Sequence, residues 1–136
     1  MATFTKVNSF VEALAEKVHN LGSDQLKVAL TNTDPTASAT KLSDLTEIDY
    51  TYCSSRNLTT SSSSQTSGTY KLVIADLELM ASGGSVGPFR YVVIFNDTAT
   101  NDEIIGYYDY GSSITITDGN TFTIDFSATN GILTLA

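Results

Sequence analysis

The chain has 136 residues, 41% of them apolar, with seven Tyr, six Phe and a formal net charge of −8. That is the composition of one globular domain with enough length to bury a core, and not of a disordered chain. Fifteen acidic against seven basic side chains, with no two basic residues adjacent, argue against nucleic acid and against anionic membranes as partners. A lone Cys53 forms no intrachain disulfide and fits a reducing compartment, and no apolar stretch approaches membrane-spanning length. The first twenty residues lack the basic and apolar segments of a secretory signal, so synthesis in the cytoplasm is expected.

In chain order, residues 1–7 read as a short arm carrying one aromatic, Phe4. Phe10, Val11, Leu14, Val18 and Leu21 then recur at three- and four-residue spacing, which predicts an amphipathic helix over 9–21. Ser9 and Glu12 match a capping box at its start, and Gly22 suits its end. His19, the only histidine, falls late in this helix and reads as a surface imidazole.

The period drops to two at "LKVAL", residues 26–30, which predicts a strand. After a polar connection containing Pro35, "LTEIDYTY" reads as another. The Ser- and Thr-rich stretch 54–68 is expected to be a flexible loop within the single domain 1–136. "TYKLVIADLELMA" reads as a strand bent near Ala75 and Asp76, and "SGGSVGP", with Val86 and Pro88, as a loop. "FRYVVIFND" is a continuous apolar run and so a central strand, followed by an Asx-rich turn over 96–103 that holds Asp97 and Asn101. "EIIGYYDYG" follows; as adjacent strand residues, Tyr107 and Tyr108 are expected on opposite faces.

The last stretch, "SITITDGNTFTIDFSATNGILTLA", is argued from register. A three-residue loop at Asp118, Gly119 and Asn120 pairs Ile116 with Phe122 and Ile114 with Ile124. A two-residue loop at Asn130 and Gly131 pairs Phe126 with Leu135 and Ala128 with Leu133. Phe122, Ile124, Phe126, Leu133 and Leu135 are therefore expected in the core. The sum is a mainly β protein: an antiparallel β-sandwich or jelly-roll-like fold of about eight strands with one N-terminal amphipathic helix.

Chemistry is sparse at this level. The Asx-rich turn lacks a calcium-loop pattern, the glycine-rich loop lacks the context of a phosphate cradle, and His19 has no evident nucleophile partner. No catalytic, cofactor or metal residue is assigned, and no enzymatic activity is expected. Candidate interface residues are Phe4, Val86, Pro88, Asp97, Asn101 and Tyr108, chosen for exposed, irregular or aromatic context.

Three stretches, "NSFVEALAEKVHNLGSDQLKVALTNTDP", "TSGTYKLVIADLELMASGGSVGPFRYVVIFNDT" and "GSSITITDGNTFTIDFSATNGILTLA", together resemble small tailed-bacteriophage virion structural proteins. The resemblance is most like a capsid decoration, or cement, protein. It implies a non-enzymatic component made in the host cytoplasm and bound to the capsid exterior, with the major capsid protein and other copies of itself, as dimer or trimer, for partners. A tail-associated structural or carbohydrate-binding component is the alternative it implies.

Overall fold

The structure, a computed structural model, describes residues 2–136. Among them are nine strands, all paired antiparallel: β1 Phe4–Lys6, β2 Leu26–Thr31, β3 Thr60–Thr66, β4 Thr69–Ile74, β5 Leu77–Met80, β6 Val86–Asn96, β7 Ile104–Ile116, β8 Thr121–Ile124 and β9 Leu133–Leu135. They form a sheet of order β1-β7-β6-β2, a second of order β3-β4-β9, and a two-stranded ribbon β5-β8. Buried side chains from all three meet in one cluster, including Val92 and Ile94 of β6, Leu72 and Ile74 of β4, Leu79 of β5 and Ile124 of β8.

The central position expected for "FRYVVIFND" is found. β6 lies between β2 and β7, and Tyr91 through Asn96 are all buried, so both faces of that run are covered. Removing Phe89, Ile94 and Phe95 from water contributes roughly 1.5–3 kcal/mol each, which makes this strand the anchor of the core.

Several elements differ from expectation. The arm is not free: Phe4 to Lys6 form the edge strand β1, with Phe4 opposite Tyr108. Residue 1 of that expected arm lies outside the described residues. The helix α1 covers only Phe10–Ala15, and Ser9 makes no capping bond through its side chain. It closes early because Lys17 turns left-handed at φ 69°, with Val18 N–H donating to Ala13 O and Lys17 N–H to Leu14 O. This is the bonding of a Schellman stop with lysine where glycine is usual. The apolar spacing that continued to Leu21 therefore belongs to a separate turn. There Asn20 O accepts from Ser23 and Asp24 N–H, and Asp24 Oδ2 accepts from Asn20 N–H.

"LTEIDYTY" is not a strand. It follows a single 3-10 turn, Leu42–Asp44, and crosses β2 with one bridge, Thr31 to Glu47. The expected loop 54–68 instead contains β3, joined to β4 by a two-residue turn in which Ser67 (φ 51°) and Gly68 (φ 87°) are both left-handed. Such a turn matches strand twist, so seven hydroxyl-rich residues pair in spite of their composition. The expected bend at Ala75 and Asp76 is present, but it divides β4 and β5 between different sheets.

The closing meander is re-paired. The turn at Asp118–Asn120 forms, with Gly119 at φ 84° and Asn120 N–H donating to Thr117 O at 2.9 Å. The strands beside it then diverge. Ile114 and Ile116 pair with Phe89 and Val86 of β6, whereas Phe122 and Ile124 pair with Leu79 and Leu77 of β5. Residues 81–83 hold the turn from outside, since Gly119 N–H donates to Ala81 O and Ala81 N–H to Asn120 O. Leu133 and Leu135 pair with Leu72 and Tyr70 of β4 and not with Ala128 and Phe126. Of the five expected core residues, Ile124 and Phe126 are fully buried, Phe122 and Leu133 pack partly against the core, and Leu135 is 38% exposed.

Candidate functional site

The six candidate interface residues do not converge on one patch. Phe4 and Tyr108 stack across β1 and β7 with ring centroids 5.3 Å apart, and Tyr108 also meets Phe126 at 6.0 Å. Tyr108 is buried, and burial pushes its phenol up; Phe4 is half-buried, so this pair is packing and not free surface. Tyr107 lies beside Tyr91 instead, as the alternation of the strand requires. Val86 is not in a loop: it is fully buried in β6 opposite Ile116. Pro88 is exposed in the same strand. Asp97 and Asn101 are exposed beyond the other end of β6, about 30 Å away along an extended strand of eleven residues.

Around Asp97 and Asn101 the surface is irregular yet fixed. Leu42 N–H donates to Asp102 O at 3.0 Å, Ile104 N–H to Thr40 O at 2.9 Å and Asn8 N–H to Ala37 O at 2.8 Å, tying the long connection 32–50 to its neighbours. The Asp44 carboxylate accepts from Thr40 N–H, the Thr40 hydroxyl and Lys41 N–H, and these bonds hold it below its ordinary range. Farther along, the Tyr50 hydroxyl accepts from Leu30 N–H and donates to Glu47, while the Arg56 guanidinium lies 3.6 Å over the Tyr50 ring. Sequence reading missed these anchors: the backbone bonds to Asp102, Thr40, Ala37 and Leu30 join residues far apart in the chain, and the local ones around Asp44 and Tyr50 lie in a stretch without periodicity.

His19 is the largest departure. It is 5% exposed, beside the Phe10 ring, and burial pushes its pKa below the ordinary 6.5 against the opposing charges of Glu103 and Asp24. Its tautomer follows from Asn96. Asn96 Oδ1 accepts from Thr98 and Ala99 N–H at 3.0 and 3.2 Å, so its Nδ2 is the end facing Asp24 Oδ2 at 2.7 Å and His19 Nδ1 at 3.0 Å. Nδ1 must therefore accept, and Nε2 carries the proton. Among the described residues Nε2 is the one buried side-chain polar atom without a partner.

Between the Lys17–Gly22 segment and the β3-β4-β9 sheet runs a groove of about 440 Å³, with His19, Lys17, Leu14, Ser63, Tyr70 and Leu135 in its wall. No cluster of three or more His, Cys, Asp or Glu suited to a metal ion occurs among the described residues. Cys53 is half-buried, and burial raises its thiol pKa. Comparison with models of protein families, with curated proteins and with solved structures finds no match to this chain.

Proposed function

We propose that this chain is a non-enzymatic virion structural protein that decorates a phage capsid. It binds the major capsid protein as a homo-oligomer and stabilises the head. The observation that carries the reading is the fixed loop end formed by residues 32–50 and 96–103, where Asp97 and Asn101 stand exposed on backbone tied by cross-loop hydrogen bonds. A contact surface ordered before binding loses less conformational entropy on docking, so more of its contact energy appears as affinity.

The three sheets around one core support a β-sandwich, with β1-β7-β6-β2 as one layer and β3-β4-β9 together with β5-β8 as the other. In that arrangement the sheets are a rigid body and the loop end is the working surface. The resemblance to virion proteins supplies the identity of the surface it meets. Adding the purified protein to heads that lack it is expected to raise the temperature at which they rupture. Heads that rupture at the same temperature with and without it overturn the reading.

A further inference from the structure

We propose that the groove between the Lys17–Gly22 segment and the β3-β4-β9 sheet is a binding site for an aliphatic monocarboxylate. This does not depend on the decoration role. The wall supplies several donors to a bound anion. Nδ1 of His19 is committed to Asn96, which leaves the Nε2–H proton unpartnered. Ser63 Oγ and Tyr70 Oη lie 2.7 Å apart, and their bond uses one of their two protons, so the other is free to donate. Asn20 Oδ1 accepts from Gly22 N–H, which directs its NH₂ elsewhere. Lys17 adds one full positive charge, and no Asp or Glu lines the groove, although the chain as a whole carries −8.

Donors around a single cation select a monoanion, and the Leu14, Leu21 and Leu135 side chains select an apolar body behind it. Nε2 lies just behind the wall, with less than 1 Å² accessible. Lys17 is exposed and enters neither ion pair of the described residues, so its ammonium is free to meet a carboxylate at the groove wall. A free fatty acid and the C-terminus of a peptide ending in leucine both carry this chemistry.

The test is an NMR titration of the whole chain with hexanoate, hexanamide, and a peptide ending in Leu as its acid and as its amide. Hexanoate is expected to shift the His19 Nε2–H resonance saturably, with a dissociation constant on the order of 1 mM. Hexanamide is expected to do nothing. Lys17→Gly removes the ammonium and suits the left-handed backbone at that position, so it is expected to fold and to weaken binding about tenfold. A peptide acid that binds more tightly than hexanoate, with an inactive amide, assigns the natural source to a peptide terminus; one that binds no more tightly assigns it to a free acid. No saturable shift, equal binding of hexanoate and hexanamide, or undiminished binding by Lys17→Gly overturns the proposal.

Discussion

Protonating His19 requires more than hydrating an imidazole. A proton on Nδ1 would oppose Asn96 Nδ2, and turning that amide over would break its bonds from Thr98 and Ala99 N–H and to Asp24. Burial and this geometry act together to keep the folded pKa below 6.5. The unfolded chain therefore binds the proton more readily than the folded one across that window, and stability rises with pH there. The contribution is complete above 6.5 and is lost as pH falls toward the folded value. Urea midpoints are expected to drop between about pH 7.5 and 5.5, and His19→Gln to flatten the drop. The carboxyls of Asp44, Asp49 and Asp109 are held below 3.8 by hydrogen bonds, so their losses begin at lower pH and do not obscure this one. None of this was legible in the sequence, where His19 reads as a surface imidazole late in a helix. The stop at Lys17 depends on a left-handed residue that carries no glycine signature. Replacing Lys17 with Gly is expected to raise stability by about 0.5–1 kcal/mol in urea denaturation, since a non-glycine residue is strained at φ 69°.

Strands were easier to find than their partners. Alternation at 121–124 and the turn at Asp118–Asn120 are both real, yet the turn leads the chain from one sheet to another and β8 joins β5. Turn chemistry is written locally, whereas the choice of β5 follows from Ala81 bonding the turn and from Leu79 facing Phe122, which are contacts across about forty residues. The Asn130–Gly131 turn was misread for a similar reason. Gly131 N–H donates to Ser127 O, so the chain makes a wider turn, and Ile132 N–H then donates to Leu72 O as β9 docks on β4. Two glycines separate backbone strain from crowding. Gly119, at φ 84° with open space around a would-be Cβ, is expected to lose about 1–2 kcal/mol on substitution by Ala. At Gly131, φ 71°, the same methyl group would also strike the Leu72 carbonyl, so a loss of about 3 kcal/mol or more is expected. Urea unfolding of the two variants checks the order, and equal losses would mean that β9 gives way without cost.

Over the whole molecule, composition and periodicity sufficed for the mainly β class, the antiparallel pairing and the central place of residues 89–96. They did not suffice for the surface. Tyr108 and Val86 are expected at an interface from aromatic and loop context, and the core claims both: β6 begins at Val86 and not at Phe89, and Phe4 of β1 and Phe126 cover Tyr108. β7 continues for thirteen residues by placing Tyr110–Ser113 as a bulge opposite Arg90, and Arg90 closes its base with two bonds to Asp109, at 2.8 and 3.1 Å. Of the six expected interface residues, Pro88, Asp97 and Asn101 remain exposed, and the last two share the loop end tied by cross-loop hydrogen bonds. A decorating protein must cover a lattice, and a tail-tip component is needed only a few times per particle. The most direct measurement is therefore the copy number of this chain in purified virions, by quantitative mass spectrometry against the major capsid protein. The account predicts many copies, in fixed ratio to the capsid protein and associated with isolated heads. A handful of copies retained with isolated tails, or none in the particle, would contradict it.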